Sequence, residues 1–225
     1  MGDLTVIQPY LNCGLCNRLR VIFYFYAQLE PFESLEVVWR WSKKGTPGEF
    51  EDVFEPLPKV SFTKQPSNIV KYRGHGFDLA DRDQIIDYTD LVLRPDTEAL
   101  VREQTEMLGD YIAIHVRRTD IEELYKNKHV PYDPDDYSKW YEFIDKHPGK
   151  NLYIATDNAA SFETIASRYR DSRLINQPYF LTTVERRKTT MVQAVIDLFA
   201  CIQSDEFLGS YLSSFSEFIQ QNRVN

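Results

Sequence analysis

Between residues 110 and 220 the chain alternates short, almost unbroken apolar runs with longer amphipathic stretches, and that alternation restricts the fold more than any other feature. "YIAIHV" (111–116) and "NLYIAT" (151–156) are apolar at consecutive positions, as expected of parallel strands covered on both faces. "DPDDYSKWYEFIDKH" (133–147), "NAASFETIASRY" (158–169), "KTTMVQAVIDLFACIQ" (188–203) and "SSFSEFIQQ" (213–221) read as helices, with "EFLGS" (206–210) as a short strand. Acids at the start of 133–147, and Lys146 with His147 at its end, suit the two poles of a helix. Parallel neighbours need a crossover, usually a helix, so the expectation is a series of βαβ units.

The first hundred residues read less cleanly. "LTVIQPY" (4–10) and "LEVVWRW" (35–41) are strands, separated by the Gly-bearing loop "LNCGLCN" (11–17) and by "RLRVIFYFYAQLE" (18–30). That last stretch reads as a helix, although its aromatic crowding makes a strand the competitor. "SKKGTPGE" (42–49) breaks the second strand, and residues 50 to 90 are poorly periodic, with short apolar pieces at "VSF" and "NIVKY". "TEALVREQTEML" (97–108) is a helix framed by Pro95 and Gly109.

In open parallel sheets ligands bind beyond the carboxyl ends of the strands. Three loops there lead toward helices: "HVRRTD" (115–120), "TDN" (156–158) and "SSFS" (213–216). Exposed N–H groups at a helix start favour an anion, and a guanidinium fork matches two phosphate oxygens, so a pyrophosphate is the expected occupant. The whole chain carries a net charge of −8, which repels a nucleic-acid backbone, so its basic residues matter where they cluster. No run of 18 apolar residues and no signal peptide is present, and three cysteines are too few for a disulfide framework. A soluble, cytoplasmic protein without a membrane span is the expectation.

"IAIHVRRTD", "LYIATDN" and "IDLFACIQSDEFLGSYLSSFS" resemble, in order and spacing, the three donor-site motifs of the α1,6-fucosyltransferase and protein O-fucosyltransferase superfamily. "GLCNRLR" resembles the loop and first helix of many members, and "VVWRW…FEDVFEPL" what often follows; residues 56 to 105 carry no resemblance. The resemblance implies an α/β, GT-B-like fold. Two Rossmann-like lobes with parallel sheets would meet near residues 95 to 108, a reduced acceptor-side lobe over 1–100 and a GDP-sugar lobe over 101–225. It implies an inverting transfer of a sugar, most often L-fucose, from GDP to a glycan or protein acceptor, with no cofactor and no metal. Arg117 would grip the β-phosphate and His115 would line the nucleotide site with Arg118. Asp157 would shape the pocket, Asp197 would read guanine, and Ser213 and Ser214 would donate to phosphates. Asn17 and Arg18 would face the cleft from the N-terminal lobe.

Three departures accompany the resemblance. The α1,6 members carry a glutamate where this chain has Tyr125, which leaves Glu123, with Glu122 beside it, as the candidate base. Cys16 stands where a glycine is usual, and the chain is short for the fold. Local readings compete as well. Asp120 and Arg118 could form a structural ion pair, and His115 could be a core histidine. Asp157 or Asn17 could be helix caps, and Arg18 a surface residue. "CGLC" (13–16) has redox or zinc spacing but no second pair to complete a site; "YDPDD" and "ADRD" have the D-x-D spacing of metal-dependent transferases but read as capping acids and a solvated loop. "FYFY" reads as core rather than as a sugar platform. The alternative functions are a non-catalytic nucleotide- or glycan-binding protein and a transferase using another GDP-sugar.

Overall fold

The structure is a computed structural model that describes residues 3–41, 46–76, 79, 85–118, 121–129, 131, 133–177 and 190–223, with backbone alone at 122–124. The chain divides into two compact units, Met1–Glu98 with Thr190–Ala194, and Ala99–Thr189 with Val195–Asn225.

The first unit is built on four parallel strands: β1 (Leu4–Pro9), β2 (Ser34–Val38), β3 (Val60–Thr63) and β4 (Tyr72–Gly74), in the order β3-β2-β1-β4. The stretch of ambiguous periodicity resolves as helix α1 (Leu15–Tyr26). Leu15, Leu19, Ile22 and Phe23 recur at helical spacing and are all buried, so the amphipathic face outweighs the β preference of the aromatics. Phe23 is core, whereas Tyr24, Phe25 and Tyr26 are only partly covered. Cys16 lies in the first turn of α1 with no positive φ, so the loop has no need of glycine there. Of the two short apolar pieces of the poorly periodic region, "VSF" lies in β3, whereas "NIVKY" contributes only Tyr72 to β4; the two strands lie at opposite edges of this sheet.

Helix α2 (Pro95–Glu106) opens on proline, whose missing N–H costs nothing at a first helical position. It exits through Gly109 at φ +57. The second unit then holds β5 (Tyr111–Val116), β6 (Asn151–Thr156) and β7 (Phe207–Leu208), parallel and ordered β6-β5-β7. Its helices are α3 (Ile121–Asn127), α4 (Ser138–Asp145), α5 (Ala159–Tyr169), α6 (Met191–Gln203) and α7 (Ser214–Asn222), with α6 starting among the first unit's residues.

One sheet face packs Ile112, Ile114, Val116, Leu152 and Ile154 against Trp140 and Ile144 of α4 and Phe162 and Ile165 of α5. The alternate residues face the other way: Tyr111 donates to the Ala200 carbonyl (2.7 Å) and Tyr153 to Asp197 (2.9 Å), both acceptors on α6. Helix α4 begins at Ser138 rather than Asp133, because Asp133 and Asp136 turn their carboxylates onto the N–H groups of Asp135 (2.9 Å) and Ser138 (2.8 Å). Side-chain bonds of this kind favour turns over helix.

Candidate functional site

The strand order fixes where a ligand can sit. After β5 the chain crosses to β6 on one side and later to β7 on the other, so the connections leave the β5/β7 boundary in opposite directions. That reversal is the switch point at which open α/β sheets bind ligands.

Polar groups link the two strand ends there. Ser210 Oγ donates to the His115 carbonyl (2.9 Å) and accepts the Arg117 N–H (2.9 Å), extending the β5–β7 pairing past Leu208. Ser216 Oγ accepts the Ser210 N–H (3.0 Å) and lies 2.8 Å from His115 Nδ1. Ser213, which is buried, caps α7 by accepting the Ser216 N–H (3.4 Å). Ser214 is the first residue of α7, where N–H groups lack intrahelical partners and attract anions. Gly209 is required by proximity, since a Cβ there would meet Ser216 Cβ at 2.5 Å. Leu212 holds the left-handed region at φ +57 in the turn into α7, a conformation that costs a non-glycine residue about 1–3 kcal/mol.

Burial, reinforced by the charges of Arg117 and Lys139, pushes the His115 pKa down to about 3, so its ring is neutral. It lies 4.7 Å from the Phe215 ring. Arg117 as a whole is half-buried, and burial lowers the pKa of its guanidinium against the opposing pull of Asp157, Glu217 and Tyr125. Tyr125 packs edge-on to Tyr211 (6.3 Å). Asp157 accepts the Arg118 N–H (2.8 Å), and the neighbouring Asn158, not Asp157, caps α5.

The Arg118 side chain is occupied elsewhere. It donates to the Asp133 (3.2 Å) and Asp136 (2.7 Å) carbonyls and lies over the Tyr137 ring (4.5 Å).

Asp197 stands apart from this cluster. Its partner Tyr153 is three residues before the end of β6, about 10 Å along the strand at a rise of roughly 3.3 Å per residue. Burial raises its pKa to about 7, although the Tyr153 hydroxyl donates to it. Asn17 and Arg18 belong to the first unit. Gly14 takes the cap position of α1, so Asn17 is not the cap, and Arg18 is not a surface residue: it is 1% exposed, donates to the Leu11 carbonyl (3.2 Å) and lies over Trp39 (4.9 Å). The side chain of Glu123, Asp120 and the whole of "ADRD" lie outside the described residues.

Two residues that the sequence did not single out join the strand-end cluster, Ser210 and Lys139. Lys139 reaches from α4 to the Gly209 carbonyl (3.4 Å). Only Ser210 had a local signal, its place at the end of the short strand read at 206–210. The first unit has a cavity of about 310 Å³ beyond β2 and β3, lined by Trp39, Glu49, Phe50, Phe62 and Lys64 among others. Among the described residues no three His, Cys, Asp or Glu side chains gather as a metal site, and no helix is long and apolar enough to cross a membrane.

The family described as GDP-fucose protein O-fucosyltransferase matches residues 91–224. No curated protein matches the chain in sequence. Among solved structures it resembles the NodZ α-1,6-fucosyltransferase co-crystallised with GDP, at TM-score 0.61 and 13% identity over 97% of this chain and 92% of that one. NodZ is from Bradyrhizobium. POFUT1 in complex with GDP is similar at TM-score 0.60 and 10% identity, over 99% and 96% of the two chains. At these identities the likeness establishes the fold, which is α/β and GT-B-like.

Proposed function

The chain belongs to the GDP-fucose protein O-fucosyltransferase family of GDP-sugar-dependent glycosyltransferases, and we propose that it moves L-fucose from GDP-fucose to an acceptor hydroxyl, with inversion and without a metal. The observation that carries this reading is the half-buried Arg117 at the β5/β7 switch point, beside the start of α7.

Breaking the bond between sugar and GDP leaves an oxocarbenium-like sugar and adds negative charge to the β-phosphate. Arg117 and the N–H groups at the start of α7 stabilise that charge more in the transition state than in the ground state. Ser213 and Ser214 donate to phosphate oxygens. His115, neutral and tied to Ser216, lines the site without adding charge that would vary near neutral pH. Asp157 holds the Arg118 N–H and so fixes the turn that presents Arg117.

Asp197 takes the guanine end. Tyr153 occupies one carboxylate oxygen, which leaves lone pairs for the two N–H donors that guanine has and uracil lacks. Its distance from the phosphate cluster suits a ligand whose base and pyrophosphate are separated by a ribose.

The acceptor, glycan or protein, is assigned to residues 1–100, where Arg18 is buried against Trp39 and so supports the fold of that unit rather than touching a ligand. Glu123 takes the acceptor proton from the position of α3.

The test is a thermal melt with GDP, UDP and ADP in chelator, on the wild type and on Arg117→Ala. A ligand at 100 times its Kd adds roughly 2.7 kcal/mol to the native state. The expected result is a shift with GDP alone, lost in Arg117→Ala at unchanged basal melting temperature, with transfer down by about 10²–10³. Full transfer by Arg117→Ala would refute the phosphate site. GDP binding without turnover of GDP-fucose would favour the non-catalytic alternative.

A further inference from the structure

The first turn of α4 carries a cation to the same strand edge. Lys139 Nζ lies 3.4 Å from the Gly209 carbonyl, the residue before Ser210, and 4.2 Å from the centre of the Trp140 ring. The Arg118 guanidinium lies 5.2 Å from the centre of that same ring. Among the described residues no carboxylate is within ion-pair distance of the Lys139 ammonium. The arrangement is on balance electrostatically adverse: a lysine in the first turn of a helix opposes the helix dipole, a second cation shares its ring, and burial together with Arg118 outweighs the attraction of Asp136 in lowering the Lys139 pKa. An adverse cluster of this kind is relieved by an anion placed among its members. The Gly209 carbonyl is a poor substitute, being neutral and at the long end of hydrogen-bonding distance.

We propose that Lys139 is a donor-binding residue, a second cation that joins Arg117 in holding the pyrophosphate of the GDP-sugar at the β5/β7 switch point. Arg118, whose guanidinium is committed to the Asp133 and Asp136 carbonyls and to Tyr137, is then a positioning residue that fixes the start of α4 and thereby aims Lys139. Burial chiefly lowers the His115 pKa, and the charges of Arg117 and Lys139 lower it further, so both cations lie near His115. The inference rests on the donor site proposed above.

The experiment compares GDP and guanosine affinities by calorimetry for the wild type, Lys139→Gln, Lys139→Arg and Arg117→Ala. A charge-assisted contact to phosphate predicts that Lys139→Gln binds GDP about tenfold to a hundredfold more weakly. Guanosine affinity should stay unchanged and the basal melting temperature should not fall, with GDP affinity largely restored in Lys139→Arg. Equal losses toward GDP and guanosine, or no loss of either, would overturn the proposal and leave Lys139 as a brace for the Gly209 turn. If Arg117→Ala also binds GDP normally, the donor site itself is misplaced and the inference falls with it.

Discussion

Arg117 and Arg118 are neighbours in the chain, yet the fold gives them opposite employment. Arg117 follows β5 with its backbone fixed by Ser210 and is half-buried among acidic neighbours, whereas Arg118 spends its hydrogen bonds on carbonyls before α4. The sequence placed both at a strand end and could not separate them, because their difference depends on a turn some 18 residues downstream. Asp197 shows the same dependence. Its carboxyl has a pKa of about 7 against an ordinary 3.8, so the folded chain holds a proton that the unfolded chain releases across that window. Stability from this group is present below the unfolded value and is lost as pH rises toward 7. Reading guanine requires the ionised form. GDP affinity should therefore rise with pH up to about 7 and level off above it, by up to tenfold per unit below. Asp197→Asn should lose both that rise and the preference for GDP over UDP. Phosphate titration is common to both proteins and cancels in their ratio. A variant that keeps its nucleotide preference would show that Asp197 serves only to seat Tyr153.

At the level of elements, the site depends on how closely β7 and α7 approach. The turn between them packs Gly209 directly on Ser216, and Ser216 in turn joins Ser210 to His115. Gly209→Ala should push α7 away, costing about 1–3 kcal/mol as overpacking usually does. It should also abolish GDP-induced stabilisation, because the start of α7 and Ser210 shift together. A melting temperature within a degree of wild type with normal GDP binding would mean that the turn has slack. The start of α4 illustrates what local reading misses. The acids of "DPDDY" suit a helix N-terminus by composition, but Asp133 and Asp136 form their own turns and delay the helix to Ser138. That delay sets which residues occupy the first turn, and hence that Lys139 faces the strand edge.

For the whole molecule, assigning the nucleotide to one unit makes a spatial prediction. In hydrogen exchange, GDP should protect the amides of residues 115–118, 155–158 and 209–217, and leave Leu4–Pro9, Ser34–Val38 and Val60–Thr63 unchanged. Protection confined to the first unit's strands would reverse the assignment of donor and acceptor sides. The sequence by itself determined the elements of the second unit apart from α3 and the start of α4, and the loops in which its polar groups lie. Strand burial and helix periodicity are local properties, and the apolar runs at 111–116 and 151–156 carry them without ambiguity. It left the first unit's β3 and β4 nearly illegible, since short strands at sheet edges have too few residues to show a period. Only the tertiary structure decided which face of β5 receives His115, because a strand apolar at nearly every position does not mark its two faces. It alone joined His115 to Ser216 and Lys139 to Gly209, pairs 101 and 70 residues apart. Such contacts follow from strand order and crossover direction, which are set by the packing of the whole unit and not by any window of sequence.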